Sequence, residues 1–490
     1  MEENIDYTKI GLKSGLEIHQ QLDTGKLFCK CPSFLRNDNP DYIVERKLHA
    51  VAGETGKIDE AALYQASLEK KFIYQCYKDN VCLVDLDEEP PHEINKESLK
   101  IALQIALLLN CKILPVSQIM RKTVIDGSNT SGFQRTTLIA KDGFVETTFG
   151  KVAIDYLFLE EDAARTPTKK EGEIDEPGFE NSKIFRLDRL GIPLVEIATG
   201  PHMHSPEQIK EAALKIGEIL RSCKVKRGIG TIRQDLNISI KGSERVEIKG
   251  FQDPRIMIET VKKEIERQQK CVKEKACKRE VRKSNPDSTT SFLRPMPGAN
   301  RMYPETDLPL LKISRELIND AKKTLPKLKG EKEEELKLKG LNNEMIKILL
   351  NENKVDEFKE LLEIYDNPNL IVKMILIFPK EIASHEKISN LDVVLDQDVL
   401  ASILELLKDK KIQESHIKEL MSRIAKGQSF DTAIMFESTN INEIEEKIMK
   451  IIKEKPGLNA NAYMGLVMKE LKGKLNGKEA MEIIQKHVKN

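Results

Sequence analysis

The chain has 490 residues, of which 40% are hydrophobic and 32% are charged. One hydrophobic core rarely organises so long a chain, so the length excludes a small single domain and predicts two to four domains. Lysine plus arginine and aspartate plus glutamate number 79 each. The balanced charge predicts no class of partner, so any contact with nucleic acid must come from local patches.

The first residues, MEENIDYTKIG, contain no apolar signal core. The longest apolar run, residues 101–116, is interrupted by Gln104, Asn110 and Lys112 and is too short and polar to cross a bilayer. These features predict a soluble, cytoplasmic protein.

The eight cysteines, in a long chain without a secretion signal, predict reduced, intracellular thiols. Cys29 and Cys31 would form one half of a zinc site, with Cys76 and Cys82 as the other half. The second pair departs from the usual ligand spacing, so plain thiols are the favoured interpretation and zinc is the alternative.

The first predicted element is a strand at residues 16–22, LEIHQQL, with Glu17 and His19 on the face opposite Leu16 and Ile18. A helix with Asn95 as its N-cap and a broad apolar stripe follows at residues 95–109. Two more helices are predicted at residues 206–221, which begin with proline, and at residues 259–269.

Beyond residue 309 the sequence becomes rich in lysine, glutamate and leucine at helical spacing. Breaks are predicted near residues 329–330, 367–368 and 456–457. We therefore predict an α+β fold, with a catalytic region at residues 1–312, a helical domain at 313–415 and a helical tail domain at 416–490.

The alternation of the first strand recurs at residues 156–162, 193–198, 231–240 and 245–249. Each segment alone is typical of a sheet face in water. If the segments converge on one face, their acidic side chains would repel one another unless cations lay among them. Mg²⁺ is the divalent ion that prefers such oxygen ligands. The acidic residues concerned are Glu17, Glu160, Asp162, Glu196, Asp235 and Glu247.

Residues 120–135, MRKTVIDGSNTSGFQR, combine cations with two glycines that would let backbone amides approach an anion. The chain has no GxxxxGK[ST], which excludes a P-loop, and Gly228-Ile229-Gly230 lacks the rest of a dinucleotide fingerprint. Metal ions on a sheet with cations nearby are what phosphoryl transfer requires.

Eight segments of the first 310 residues carry a further signal through their order along the chain. They are LEIHQQLDTGKLFCKCP, CLVDLDEEPPHEIN, MRKTVIDGSNTSGFQRT, LEEDAAR, RLDRLGIPLVEIATGP, KRGIGTIRQDLNISI, RVEIKGFQD and RPMPGANRMYPETDLP. In this order they resemble motifs of the GatB/GatE family, above all the archaeal GatE chain of glutamyl-tRNA(Gln) amidotransferase. The closing segment AYMGLVMKELKGKLNGKEAMEII is also similar to the YqeY-like tail of that family.

The resemblance implies a catalytic cradle similar to the glutamine synthetase and guanidino-kinase fold, which uses ATP and Mg²⁺. The side-chain carboxylate of glutamate misacylated on tRNA(Gln) would be phosphorylated, and ammonia would displace the phosphate to give Gln-tRNA(Gln). The ammonia would come from an asparaginase-like partner, GatD, in a heterodimer or heterotetramer.

The resemblance also implies roles for individual residues. Catalytic or metal-binding roles fall on Glu17, His19, Glu160, Glu161, Asp162, Glu196 and Asp235. Contacts with nucleotide or developing phosphate fall on Arg121, Lys122, Gln134, Arg189, Arg233 and Lys249.

The sequence departs from the family at one place. An inserted domain, similar to one in bacterial aspartyl-tRNA synthetases, normally precedes RPMPG, whereas here residues 270–293 alone link the preceding helix to that motif. Its loss bears on tRNA affinity and discrimination and leaves the cradle chemistry untouched. The remaining cations would contact phosphates or simply face solvent; they are the basic stretch at 270–283 and Lys453, Lys455, Lys469, Lys472 and Lys474.

Two rival functions stay open on the residues alone. A glutamine-synthetase-like ligase of small molecules would use the same sheet without RNA, and the missing insertion favours it. A non-catalytic RNA-binding subunit would have lost its acidic and histidine residues, and the quoted motifs retain them.

Overall fold

The computed structural model describes residues 6–53, 56–58, 60–167, 182–296, 301–352, 354–388, 394–434, 441–470 and 477–488. The chain divides into two compact units, residues 1–328 and residues 329–490. The first unit is α+β and the described part of the second is helical, which confirms the predicted fold class.

The strands of the first unit are β1 (Lys13–Gln21), β2 (Tyr42–Arg46), β3 (Lys71–Cys76), β4 (Lys112–Ile113), β5 (Val116–Ser117), β6 (Ile119–Thr123), β7 (Phe133–Thr147), β8 (Gly150–Glu161), β9 (Ser182–Arg186), β10 (Pro193–Thr199), β11 (Ile232–Ser239), β12 (Val246–Lys249), β13 (Glu280–Ser284), β14 (Thr290–Pro295), β15 (Met302–Pro304) and β16 (Leu311–Lys312).

Eleven of these strands form one sheet in the order β14-β13-β12-β11-β1-β10-β8-β7-β6-β15, with β4 also paired to β7. Neighbouring strands are antiparallel except β12 and β13, which are parallel. Strand β1 therefore lies near the middle of the sheet, between β10 and β11. Small sheets form from β2, β3 and β9 and from β5 and β16.

The helices of the first unit are α1 (Glu60–Ser67), α2 (Lys96–Leu108), α3 (Pro206–Ser222), α4 (Met257–Glu274) and α5 (Arg315–Lys323). Helices α2, α3 and α4 bury their apolar residues in one core with the sheet. Leu16 and Ile18 of β1 belong to that core, as the alternation in the strand predicted. The opposite face of β1 is thereby left for polar side chains.

Local sequence signals explain where these helices begin. Asn95 caps α2 by accepting a hydrogen bond from the Ser98 amide, and Ser205 caps α3 by accepting from the Gln208 amide. The three helices predicted in this region are confirmed, and α4 extends beyond the predicted residues 259–269 at both ends.

Helix α4 leads almost directly into β13, the strand that extends the main sheet beside β12. A disulfide joins Cys271 of α4 to Cys277, with the two Cα atoms 5.1 Å apart. The prediction of reduced thiols is therefore wrong for this pair. The physical reason is that α4 ends at the left-handed Lys275, which turns the chain back beside the last helical turn.

The second unit contains α6 (Lys329–Leu338), α7 (Asn343–Asn351), α8 (Val355–Ile364), α9 (Pro368–Val372), a π-helical turn (Lys373–Ile377), α10 (Phe378–Glu386), α11 (Gln397–Lys408), a 3₁₀ turn (Glu414–His416), α12 (Ile417–Ala425), α13 (Phe430–Ala433), α14 (Ile441–Glu454), α15 (Ala460–Glu470) and α16 (Gly477–Val488). The predicted breaks at 367–368 and 456–457 fall between helices. Helix α6 begins at Lys329, so the break predicted at 329–330 lies at its start.

The second unit has two hydrophobic cores, one built from helices up to residue 433 and one from α14, α15 and α16. Helix α5 belongs to the first unit, because Gln104 of α2 donates a hydrogen bond to the carbonyl of Thr324 at 2.6 Å. The division into three domains stays a prediction. Among the described residues, no helix is both long enough and apolar enough to cross a membrane.

Candidate active site

The polar face of the main sheet forms the floor of a cavity of about 580 Å³. Strands β1, β6, β7, β8, β10, β11 and β12 supply most of its charged residues. Its polar lining comprises Glu17, His19, Lys122, Ser128, Asn129, Gln134, Glu160, Asp162, Arg189, Arg233, Asp235, Glu247, Lys249, Gln252, Arg294 and Arg301.

Strand register brings the central residues together. On β1, Glu17 lies opposite Asp235 of β11, and His19 lies opposite Glu196 of β10. Side chains directly opposite each other in an antiparallel pair project to the same face. The predicted convergence of acidic side chains on one sheet face is therefore what the structure shows.

His19 and Lys122 link the acidic residues on one side of the cavity. The Nε2 atom of His19 lies 3.2 Å from Oε2 of Glu196 and 3.5 Å from Oε1 of Glu17. The Nζ atom of Lys122 donates to Glu160 at 2.8 Å and lies 3.5 Å from Glu196. One imidazole and one ammonium thus separate three carboxylates.

A second cluster surrounds Asp235. Lys249 of β12 donates to Asp235 at 2.7 Å and lies 2.7 Å from Glu247. The amide of Gly250 donates to the other oxygen of Asp235 at 3.2 Å. Because these donors fix both oxygens, the carboxylate of Asp235 keeps one orientation beside Glu17.

Asp162 is held by cations rather than by other acids. Arg233 donates to its Oδ1 at 2.8 Å, Gln21 donates to its Oδ2 at 2.6 Å, and Arg189 lies 3.8 Å away. Burial raises the pKa of Asp162, but the charges of Arg233 and Arg189 outweigh it, so the pKa lies below its ordinary value. This carboxylate positions arginines at the wall of the cavity.

The remaining carboxylates are electrostatically crowded. Burial, followed by the charge of Glu196, raises the pKa of Glu17 to about 7. Burial and the same charge also raise the pKa of Glu160. Burial lowers the pKa of His19, but the hydrogen bond and charge of Glu196 raise it further, so the pKa lies above its ordinary value. The site therefore favours additional positive charge.

Two overlapping sets of side chains have the geometry of a metal site. Glu17, His19 and Asp235 form one set, and His19, Glu160 and Glu196 form the other, each with ligand atoms within 4.8 Å of one another. Carboxylate oxygens with one imidazole suit Mg²⁺ or Mn²⁺. The donor set and the raised pKa of Glu17 both fit divalent ions at this place.

The loop after β6 closes one side of the cavity with Ser128 and Asn129. Gly127 has φ +88°, and a Cβ added there would lie 2.1 Å from the ring of Phe72. Tyr74 also donates a hydrogen bond to the carbonyl of Gly127 at 2.9 Å. Since only glycine fits against Phe72, this loop has a fixed path beside the site.

Two residues predicted for the site lie elsewhere. The Glu161 carboxylate accepts hydrogen bonds from the amide and guanidinium of Arg135, and Arg121 pairs with Glu305 at 2.5 Å. Each is the strand neighbour of a residue that does line the cavity, so its side chain projects to the opposite face. Glu161 and Arg121 instead stabilise a buried ion-pair cluster behind the sheet.

The structure adds five polar residues that the sequence did not single out as site residues. These are Ser128, Asn129, Gln252, Arg294 and Arg301. All five lie inside motifs already quoted for the family resemblance, and Arg294 and Arg301 both belong to RPMPGANR. Their position in ordered motifs was the available signal, but nothing local distinguished them from surface residues.

A separate cluster contains Cys29, Cys31, Cys82 and Asp85, with ligand atoms within 4.8 Å of one another. Burial raises the pKa of Asp85 to about 6, while hydrogen bonds with Cys29 and Cys31 lower the pKa of the Cys82 thiol. Cys82 thus joins the pair as predicted, and Asp85 occupies the place predicted for Cys76. The Cys76 thiol instead faces the carbonyl of Tyr74 at 3.6 Å.

Residues 12–319 match the GatB/GatE catalytic domain, and residues 356–488 match a second family described as the GatB domain. The fold and the site thus define a catalytic chain of the GatB/GatE class, with a helical region after the catalytic domain.

Archaeal proteins align with the chain over nearly its full length, and three of them are E subunits of glutamyl-tRNA(Gln) amidotransferase. The one from Methanocaldococcus jannaschii is 35% identical over 639 positions, covering 99% of each chain. The one from Methanobrevibacter smithii is 34% identical over 630 positions, again covering 99% of each. That of Methanothermobacter thermautotrophicus is 35% identical over 554 positions, covering 86% of this chain and 87% of that protein. The chain belongs to the GatB/GatE family, as the ordered motifs predicted.

The chain is shorter than these relatives inside the aligned region. An alignment of 639 positions includes 99% of both proteins, although this chain has 490 residues. The direct passage from α4 to β13 is where the sequence predicted the missing domain. That location stays a prediction.

Proposed function

We propose that the chain converts Glu-tRNA(Gln) to Gln-tRNA(Gln) with ATP, Mg²⁺ and ammonia. A side-chain oxygen of the glutamyl group attacks the γ-phosphorus of ATP, and ADP leaves. The nitrogen of ammonia then attacks the acyl carbon, loses a proton, and phosphate leaves with the bridging oxygen. A carboxylate needs this activation because its own oxygen is a poor leaving group.

The observation that carries the proposal is a cavity with acidic residues on its floor and cations at its wall. Glu17, His19, Glu160, Glu196 and Asp235 would hold divalent ions. Bound Mg²⁺ would neutralise the phosphates of ATP at this place.

The cations of the cavity act on the phosphates in this proposal. Lys122, Arg189, Arg233 and Lys249 all line the cavity, and each is already oriented by a carboxylate. Such preorganised donors stabilise the charge that develops on a transferring phosphoryl group. Gln134 is held by Glu160 and by the carbonyl of Glu161, which directs it toward the same space.

The relatives are named as subunits of an amidotransferase, and we extend that arrangement to this chain. Ammonia would come from a separate asparaginase-like subunit of the GatD type, and tRNA(Gln) would be the second macromolecular partner. The antiparallel sheet with helices on one face and an open polar face supports the glutamine-synthetase-like cradle that the motifs predicted.

We also propose that Cys29, Cys31, Cys82 and Asp85 bind Zn²⁺. Three thiols and a carboxylate provide the four ligands of a closed tetrahedral site. Lys26 lies 3.1 Å from Asp85 and is fully buried, so an anionic cluster has a counter-charge beside it. The cluster belongs to the segment that follows β1, where a metal would brace the chain next to the catalytic strand.

The function is tested by supplying the purified chain with Glu-tRNA(Gln), ATP, Mg²⁺ and ammonium and measuring Gln-tRNA(Gln). The proposal expects amidation of the charged tRNA that depends on both ATP and Mg²⁺. Amidation of free glutamate with equal efficiency would instead establish the small-molecule ligase. Binding of tRNA without any ATP cleavage or Gln-tRNA, even with the ammonia-supplying partner present, would establish the non-catalytic subunit.

A further inference from the structure

The loop between α3 and β11 exposes an isoleucine completely. Ile229 has a relative exposure of 106%, the largest value among the exposed large apolar residues of the described chain. It lies between Gly228 at φ +117° and Gly230 at φ +84°. Both glycines adopt backbone conformations that other residues rarely take, so the backbone of the loop itself places Ile229 at the tip.

The base of this loop is fixed to the catalytic strand. Gln20 of β1 is buried, and its side-chain amide donates to the carbonyls of Lys226 at 3.0 Å and Thr231 at 3.2 Å. The backbone of Gln21 adds a hydrogen bond to each of the same two residues. Gln20 and Gln21 directly follow His19, so the tip has a defined place relative to the site.

The same loop borders the cavity. Gly230 is one of its lining residues, as is Arg233 at the start of β11. Ile229 therefore lies at the rim, where a bulky substrate must pass to bring a small reacting group inside. An apolar side chain fully exposed to water at such a rim gains free energy when a flat apolar surface covers it.

The loop also carries positive charge. Residues 221–233 include five basic residues and no acidic one. Lys224 pairs with Glu97, and Lys226 lies 3.8 Å from Asp23, so both have acidic neighbours. Arg227 is exposed beside the tip, and its guanidinium donates to the carbonyl of Arg221. Arg227 is thus the residue best placed to meet a phosphate.

We propose that this loop docks the 3′-terminal nucleotide of the charged tRNA, with Ile229 against the adenine and Arg227 toward the phosphate. The inference rests on the proposed function. A glutamyl side chain is short, so when its carboxylate reaches the cavity floor, the ribose and base that carry it lie at the rim. A nucleobase offers the flat face that single-stranded RNA presents to apolar and aromatic side chains.

The test compares two substrates of the full chain at saturating ATP, Mg²⁺ and ammonium. One is Glu-tRNA(Gln), and the other is the same charged tRNA with its terminal adenine replaced by hydrogen. With the wild type, removal of the base should lower kcat/KM about tenfold, the effect of uncovering one aliphatic side chain. Ile229→Ser should lower kcat/KM for the intact substrate to a similar extent and leave the baseless substrate unchanged.

Three variants complete the design. Ile229→Leu keeps the apolar area and should retain most of the wild-type discrimination. Arg227→Ala should lower kcat/KM for both substrates equally, because both keep the phosphate. Leu338→Ser, which removes an apolar side chain that is 89% exposed in the second unit, should change neither.

The outcomes separate the docking proposal from the proposed function. Equal kcat/KM of the wild type on both substrates, or an Ile229→Ser effect of the same size on both, would overturn the docking role while the amidation stands. A wild type that fails to amidate the intact Glu-tRNA(Gln) would overturn the function itself, and the docking role with it.

Discussion

His19 occupies the centre of the candidate site because β1 is paired on both sides. Its neighbours across the sheet, Glu196 and Arg233, have opposite charges. The imidazole lies against Glu196 and Glu17, and its pKa is raised chiefly because the interactions with Glu196 exceed the cost of burial. A single residue thereby joins the two candidate metal sets.

At the residue scale, Asp235→Asn should abolish most catalysis without affecting tRNA binding. The substitution keeps the shape but removes the charge that Lys249 and the Gly250 amide hold in place. We expect kcat to fall by about 100-fold or more, as for other preorganised charged groups. Steady-state amidation and filter binding of Glu-tRNA(Gln) measure the two effects.

The control is Asp253→Asn, which removes an acidic side chain that pairs with Arg255 outside the cavity. It should retain wild-type kcat. An equal loss of catalysis and tRNA affinity in Asp235→Asn would mean that Asp235 maintains structure rather than chemistry.

The raised pKa of Glu17 predicts a pH-dependent stability in EDTA. The pKa is about 7 in the folded chain, against an ordinary value of 4.5, because burial and Glu196 disfavour the charged form. The folded chain therefore retains a proton that the unfolded chain has lost, and this contribution to stability falls as pH rises between about 5 and 7. Glu17→Gln cannot lose a proton, so its melting temperature should fall less over the same range.

Mg²⁺ should reverse this trend in the wild type, since a bound cation favours the charged carboxylate. The gain in melting temperature on adding Mg²⁺ should be larger near pH 7.5 than near pH 5. Melting curves of the two proteins that run parallel with pH, with and without Mg²⁺, would contradict the assignment of Glu17.

Strand alternation predicted which residue types share the cavity, and it was sufficient for Glu17, His19 and Asp235. It did not decide between strand neighbours such as Glu160 and Glu161, or Arg121 and Lys122. Of two adjacent charged residues only one can face the cavity, and the choice depends on register with strands distant in the sequence. The buried Glu305 that pairs with Arg121 and Arg135 gave no local sign of that role.

At the scale of elements, the site results from strand order rather than sequence order. Strands β1, β10 and β11 are neighbours, although residues 21 and 193 are far apart in the chain. Helices were predictable because caps and apolar stripes are local signals. The neighbours of β1 were not, because pairing between distant segments leaves no local pattern.

The segment after β1 provides the test of the zinc site. Wild-type protein should contain about one zinc ion per chain by elemental analysis, as four ligands of this kind suit a single ion. Cys82→Ser should lose the metal and melt at a lower temperature, since structural zinc contributes to folding.

The matched control is Cys223→Ser, at a buried free cysteine outside the cluster. It should retain the zinc whatever it does to stability. Wild-type protein prepared with zinc in the medium that nevertheless contains none would identify the cluster as plain thiols.

At the scale of the whole molecule, the chain separates into two units with their own cores. All residues of the catalytic proposal lie in the first unit. Of the tail cations predicted for tRNA contact, Lys453 and Lys455 lie at the end of α14 and just after it, whereas Lys472 and Lys474 lie outside the described residues. The side chain of Lys469 is likewise outside the described part of the chain.

A chain of residues 1–328 should therefore amidate a glutamyl ester of adenosine at a rate close to that of the full chain. Its KM for Glu-tRNA(Gln) should rise by about tenfold or more, with a weaker dependence on salt, because phosphate contacts are lost. Kinetics at several salt concentrations measure both effects. An unchanged KM and salt dependence would remove the second unit from tRNA binding.

The central claim is that the site activates a glutamyl carboxylate by phosphorylating it. Glu-tRNA(Gln) labelled with ¹⁸O in the side-chain carboxylate tests this directly, with ATP, Mg²⁺ and ammonium and mass analysis of the phosphate released. The account predicts one labelled oxygen in the inorganic phosphate for each Gln-tRNA(Gln) formed from fully labelled substrate. Label in AMP with release of pyrophosphate, or amidation that leaves the phosphate unlabelled, would contradict it.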